Sequence, residues 1–298
     1  MPDSMRFNSK LLLFGEYSLI SGSKALAFPL SNFSGRLIHR KPTEQSLWDF
    51  NGLFNYLIYS SIGELFDNER LLNDARAGLC FESNIPVGYG VGSSGALCAA
   101  VYSEYAISPV SPVNISNNEL TDLKGIFSVM ESYFHGKSSG IDPLVSYINK
   151  PLLLNSHENI EIIEKDITET PFNINLYDSG IYAETSGLVA DYLQNMENQE
   201  FRELIENEYT PLLNNIITLY LEGTDYRNNL FLLSEFQLEH FRGMIPSSIL
   251  PLWQQSIASK EYCMKLCGSG GGGFFLVFAT NNNEIPLILN KTILAKSF

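Results

Sequence analysis

Positive charge is scarce in this chain of 298 residues: 19 Lys and Arg stand against 33 Asp and Glu, a formal net charge of −14. A duplex nucleic acid needs a broad basic face to displace its counterions, so no nucleic-acid partner is expected and any anionic ligand must be met by local donors. Charged residues of both signs reach only 17%, below the usual quarter. Long apolar runs are missing as well. Leu11 to Phe14 and Phe274 to Ala279 fall far short of the ~18 residues that suggest a membrane span, so no membrane partner is expected. The opening MPDSMRFNSK has no apolar core ahead of a small-residue cleavage site, and no secretory signal is read there. Cys80, Cys98, Cys263 and Cys267 make no CxxC pair, which points to buried thiols in a reducing cytoplasm. Internal repeats and linkers rich in Pro, or in Gly and Ser, are also lacking, so a domain boundary has to come from the order of elements.

What is present suffices for two ordinary domains or one large one: 45% of residues are hydrophobic and 12% aromatic. Short apolar or alternating runs predict strands at Lys10 to Phe14, Ala25 to Phe28, Gly35 to His39, Gly78 to Glu82, Pro151 to Leu154, Asn173 to Tyr177 and Phe274 to Phe278. Helical spacing appears at Asn55 to Leu65, Ala96 to Ala106 and Leu120 to Phe134, where apolar residues recur at three and four. Further helices are expected at Gly187 to Met196, Phe201 to Tyr220, Phe231 to Met244 and Pro246 to Ala258. Strands mixed with helices, and helices gathered in the later half, predict an α+β protein of two domains, 1–165 and 166–298.

Three segments carry candidate chemistry. PVGYGVGSSGA, from Pro86 to Ala96, is a Gly/Ser loop between a strand and a helix start, where backbone N–H groups and the helix dipole can converge on phosphate. It is neither a dinucleotide fingerprint, since Ser93 stands where the third glycine belongs, nor a Walker A loop, since Gly-Lys-Ser/Thr is missing; a flexible loop with a serine cap is the plainer alternative. The second segment, Glu131 to Pro143, places a carboxylate near a helix C-terminus, where the dipole disfavours it and a cation or hydrogen-bond partner is expected. Within it, Asp142 before Pro143 also reads as a helix cap, and His135 as an ordinary core or surface histidine. The third segment, KLCGSGGGG from Lys265 to Gly273, has five glycines in six positions. Side-chain packing does not call for them, and close approach of the backbone to something else does.

Taken in order, KLLLFGEYSLISGSKALA, PVGYGVGSSGA, MESYFHGKSSGID and KLCGSGGGG resemble the GHMP kinase superfamily, and within it MESYFHGKSSGID is closest to the mevalonate kinase branch, including the interval of eleven between Glu131 and Asp142. The resemblance implies the two-lobed α+β GHMP kinase fold, with an N-terminal ribosomal protein S5 domain 2-like lobe and a C-terminal ferredoxin-like lobe. It implies transfer of phosphate from ATP to a small-molecule alcohol, most simply mevalonate, and it allows a homodimer. Phosphomevalonate or a sugar as acceptor, and more remotely an oxidoreductase or a non-catalytic relative, are the alternatives. By the same resemblance, Asp142 orients or deprotonates the hydroxyl and Lys10 pairs with it; Ser94 and Glu131 hold Mg²⁺. Pro86, Gly88, Gly90, Gly92, Ser93, Ser94, Gly95, Gly270 and Gly271 cradle ATP, and Glu16, Tyr17, Thr185, Gly271 and Gly272 meet the substrate. Tyr17 stands where many mevalonate kinases carry His, and Gly95 follows the paired serines as it often does in phosphomevalonate kinases.

Overall fold

A computed structural model describes residues 5–40, 47–155, 159–164, 172–183, 185–279 and 292–294. The chain forms two compact units that draw on separated stretches: 1–10, 29–86 and 92–150 make the first, and 11–28, 87–91 and 151–298 the second. The contiguous halves expected from the element order, 1–165 and 166–298, cut the chain differently, because strands β1 (Phe7–Phe14) and β2 (Ala25–His39) each run from one unit into the other.

In the first unit, β2 pairs with β3 (Leu79–Ser83) in antiparallel register, from Gly35 opposite Ser83 to His39 opposite Leu79. Among its described residues, helices α1 (Phe50–Tyr59), α2 (Asn68–Arg76), α3 (Ser93–Tyr105), α4 (Asn117–His135) and α5 (Ile141–Ile148) follow along the chain. Of these, α3 is buried from Ser94 through Tyr102 and packs on α4 and α5. It is apolar on all sides, the pattern of a central helix rather than a surface one. Helix α4 opens with a capping box, in which the Ser116 hydroxyl accepts from Glu119 N and the Glu119 carboxylate accepts from Ser116 N. Its spacing at three and four buries Leu120, Leu123, Phe127 and Met130.

The second unit contains a three-residue pairing of β2 with β4 (Leu152–Leu154), which pairs in turn with β5 (Ile160–Ile162). It also holds a four-stranded antiparallel sheet of β6 (Asn173–Asp178), β7 (Tyr262–Leu266), β8 (Phe274–Ala279) and β9 (Thr292–Leu294), in the order β7-β8-β6-β9. Counted within this sheet, the order is second, third, first, fourth, the arrangement of a ferredoxin-like unit. Helices α6 (Thr185–Asn195), α7 (Gln199–Leu204), α8 (Thr210–Glu222), α9 (Arg227–His240) and α10 (Leu250–Ser259) lie between β6 and β7 in the chain, and α9 and α10 pack on β7. The single helix expected over Phe201 to Tyr220 is α7 and α8 joined by a π-helical turn at Ile205–Tyr209. Pro211 explains the difference: it has no N–H for the carbonyl four residues back, and its ring crowds that carbonyl, so the ladder widens there. The wider turn carries Tyr209 inward, where its hydroxyl donates to Glu16 O at 3.2 Å and accepts from Gln237 Nε2 at 3.0 Å.

Because the capping box starts the helix that carries Glu131, Ser116→Ala is expected to cost about 1 kcal/mol and lower the melting temperature by about 2–4 °C. Ser116→Thr should recover most of this. Thermal unfolding of the two variants checks it, and an unchanged melting temperature in Ser116→Ala would assign the start of α4 to tertiary packing alone.

Candidate active site

Three helices bring the expected residues of the first unit together. Helix α3 begins at Gly92, which serves as its N-cap with φ +74° and provides no side-chain cap. Helix α5 packs so closely on this start that a Cβ at Gly95 would lie 2.8 Å from the Asp142 carbonyl carbon. A side chain of any size there displaces Asp142. At Gly92 a Cβ would sit 3.3 Å from Asp142 Oδ2 and 3.4 Å from Lys10 Cβ, so these three residues are in contact. Lys10 comes from β1 and is only 5% exposed; its Nζ meets Asp142 Oδ1 at 2.6 Å.

Asp142 is not the cap of α5. Gly140 takes that position with φ +75°, and Asp142 lies in the first helical turn with Pro143 after it. The proline is tolerated there because first-turn N–H groups have no intrahelical acceptor. Its side chain is released from capping and faces Lys10.

Glu131, on α4, is 4% exposed. Ser94 Oγ donates to its Oε1 at 3.3 Å, and Ser138 Oγ donates to its Oε2. Ser138 is itself held by the turn after α4, where its Oγ accepts from Gly140 N at 3.1 Å and its N–H donates to Ser132 Oγ at 3.2 Å. Burial first, and the Asp142 carboxylate second, push the Glu131 carboxyl up to about 8, while Ser138, Lys10 and Ser94 pull it down. His135 sits one turn along α4 with Nε2 3.0 Å from Ser94 Oγ. The side chain is exposed, yet partial desolvation of the ring lowers its pKa against the opposing pull of Asp142.

The second unit gathers the remaining expected residues. Glu16 is not open to a ligand: Lys265 Nζ meets its Oε1 at 2.5 Å with both side chains 1% exposed. Tyr17, held at φ +64°, is also buried. Its hydroxyl donates to Ser269 O at 2.6 Å, and its ring lies 4.6 Å from Tyr192 and 5.5 Å from Phe241. A backbone angle that L side chains rarely adopt persists where the surroundings over-determine it, and here the hydroxyl and both ring contacts do so. Tyr17 is therefore a strut of the glycine loop, with its proton committed to Ser269.

The glycines of that loop are explained by protein packing after all, of backbone on backbone. A Cβ at Gly273 would lie 2.5 Å from Tyr89 Cα, and one at Gly90 would lie 2.8 Å from Cys267 O. Gly271 N donates to Met244 O at 2.7 Å and Gly273 N to Ile181 O at 2.6 Å, and Gly88 O accepts from Ala183 N at 3.1 Å. Gly88, Gly90, Gly270, Gly271 and Gly272 thus belong to one tightly packed group of turns. Pro86 closes a stretch of the first unit, and Ser93 opens α3 half-buried. Thr185 opens α6, and its side chain lies outside the described residues. Sequence reasoning missed Ser138 and Lys265, and weighed His135 as incidental. The only available signal was the misplaced negative charge of Glu131, which demands donors nearby.

Fold and site together define an α+β protein of two units, with a ferredoxin-like sheet in the second and an acid, a lysine and a buried carboxylate grouped at a helix start in the first. Residues 57–150 match the GHMP kinases N-terminal domain. It is 28% identical over 170 residues to a mevalonate kinase of Archaeoglobus fulgidus, an alignment covering 51% of this chain and 53% of that protein. With the mevalonate kinase of Thermococcus sibiricus it shares 25% identity over 313 residues, covering 91% of this chain and 87% of the other. The crystal structure of L. major mevalonate kinase in complex with R-mevalonate superposes with a TM-score of 0.62 at 18% identity, over 95% of this chain and 89% of that one. Among the described residues no helix is long and apolar enough to cross a membrane, and no group of three or more His, Cys, Asp or Glu residues is placed to hold a metal.

The raised Glu131 carboxyl has a direct consequence for stability. The folded state holds that proton more tightly than the unfolded chain, so between the ordinary carboxyl range, about 4.3, and about 8 the contribution of Glu131 falls as pH rises. Glu131→Gln is therefore expected to gain stability relative to the parent between pH 5 and pH 8, with the two close together at pH 5. Melting temperatures measured across that range without divalent cation test this, and a constant difference would show that Glu131 does not titrate there.

Proposed function

We propose that the chain transfers the terminal phosphoryl group of ATP to the hydroxyl of a small alcohol, with mevalonate as the acceptor. The observation that carries this reading is the Lys10–Asp142 pair, 2.6 Å apart, set against the start of α3 beside the buried Glu131 carboxylate. Phosphoryl transfer demands positioning and charge stabilisation more than covalent chemistry. The family match and the mevalonate kinases among the relatives support the same reading.

The residues fit the groups this reaction requires. Helix α3 starts without a side-chain cap, so the N–H groups of Ser93, Ser94 and Gly95 are suited to phosphate oxygens. Glu131 and Ser94 would hold Mg²⁺, since one or two protein ligands beside phosphate and water are the usual complement of that ion. Its burial suits Glu131 to a cation, because a desolvated carboxylate without one is costly. When bound, Mg²⁺ neutralises phosphate oxygens. Asp142, whose side chain is 29% exposed, orients the acceptor hydroxyl and takes its proton as the oxygen attacks. Lys10 holds Asp142 in place and offers positive charge to the transferring group. The four cysteines are free thiols, which agrees with a reducing cytoplasm.

Asp142→Asn is expected to bind nucleotide normally and to lose ~10²-fold or more in kcat, because orientation and proton removal fail together. Release of ADP from Mg-ATP, followed with mevalonate, phosphomevalonate, homoserine and a set of sugars, identifies the acceptor. Turnover is expected with mevalonate. Faster turnover of phosphomevalonate would reassign the acceptor, and near-native turnover in folded Asp142→Asn would remove Asp142 from the chemistry.

A further inference from the structure

We propose that His135 is a positioning residue for Ser94, its Nε2 accepting the Ser94 hydroxyl proton when a divalent cation occupies the Ser94–Glu131 pair. This inference rests on the metal role proposed for that pair. Ser94 Oγ has one proton and two neighbouring side-chain acceptors: Glu131 Oε1 at 3.3 Å and His135 Nε2 at 3.0 Å. Both acceptors lie on α4, four residues apart, and so share one face of the helix. Without a cation the Ser94 hydroxyl donates to Glu131 Oε1.

A cation changes which acceptor is usable. Coordination draws on a lone pair of Ser94 Oγ and on Glu131, so a proton still aimed at Oε1 would point toward the positive ion. It must turn away. Ser94 is 7% exposed, and leaving a buried hydroxyl proton without an acceptor is unfavourable. His135 provides the alternative, with the ring proton on Nδ1 and the lone pair on Nε2. A hydroxyl that donates to a neutral nitrogen becomes a better oxygen ligand, the effect by which outer groups tune metal ligands generally. His135 touches Ser94 and acts through it.

The test uses Mn²⁺ as a paramagnetic substitute, titrated by electron paramagnetic resonance into the full chain with ADP present. His135→Ala is expected to weaken Mn²⁺ uptake about tenfold, with ADP affinity in the absence of metal unchanged. His135→Gln, whose amide oxygen can accept the same proton, should recover most of the loss. In a Ser94→Ala background the His135→Ala change should have no further effect, because there is no hydroxyl left to orient. Uptake by His135→Ala equal to the parent's would overturn the proposal, and so would equal losses with and without Ser94, which would mark His135 as merely structural. Glu131→Gln separates the two levels of inference. If it takes up Mn²⁺ like the parent, the metal role of the pair fails and this proposal with it; if it loses uptake while His135→Ala does not, only the His135 proposal falls.

Discussion

A desolvated carboxylate, Glu131, is the constraint around which the first unit is organised. An ion taken out of water is costly unless its oxygens are met by donors or charge. The fold meets them from three directions: Ser94 at the start of α3, Ser138 from the turn ahead of α5, and Lys10 through its charge. Ser138 is tied to Gly140 N and Ser132 Oγ, and its carbonyl accepts from Ser128 Oγ at 2.6 Å. The turn that satisfies Glu131 is thus also the turn that delivers Asp142. Helix α3 is held against α5 by the lack of a side chain at Gly95, so the acid, the serine and the carboxylate keep one mutual geometry.

Two lysine–carboxylate pairs differ in exposure. Lys10–Asp142 leaves the acid 29% exposed, whereas Glu16–Lys265 leaves both partners at 1%. The proposed role of Asp142, meeting a substrate hydroxyl, requires a free face, and its side chain keeps one. Glu16 is sealed, with Lys265 Nζ also donating to Leu266 O at 2.7 Å. That pair lies at the end of β7, where the glycine loop begins, and the same corner includes Tyr209 on Glu16 O and Gln237 on Leu266 N. Breaking one partner of such a pair strands a buried charge, so the pair fixes one arrangement of the corner, and through it the strand that launches the loop.

Much of this was legible in the residue order. The three-and-four spacing of Leu120 to Phe134 predicted α4, and a carboxylate near its C-terminus announced a need for donors that the structure supplies. The alternating and apolar runs located β3, β4, β6 and β8 to within a few residues, but divided the single strand β2 into two, Ala25 to Phe28 and Gly35 to His39. Strand β7 went unread because Lys265 interrupts its apolar pattern, and a lysine buried by an ion pair looks exposed to any local rule. Helix α2 went unread for the opposite reason: among its nine residues only Leu71 is buried, too few for a period. The glycine loop was legible as a place of close approach, but not what approaches, since Tyr89, Met244 and Ile181 are distant in sequence. Asp142 misled because Asp-Pro is a local capping signal, and Gly140 with its left-handed φ had a stronger claim to the cap.

Under the proposed function, charge favours a metal–nucleotide complex over the bare nucleotide at this cluster. The chain as a whole is at −14, so at long range it repels polyphosphate, and attraction has to arise within a Debye length, about 8–10 Å. Within the cluster Lys10 cancels Asp142, and an ionised Glu131 leaves a net negative charge. The N-terminal dipole of α3, equivalent to roughly half a charge, offsets only part of that. A divalent cation at Glu131 reverses the sign of the whole group, and it does so where low exposure keeps the field unscreened. Removing Glu131 would also remove the negative charge, but it would take away the ligand that places the cation beside the phosphate. Under the proposed function, the acidic residue at the centre of this cluster would select the nucleotide that brings a cation and disfavour the one that comes without.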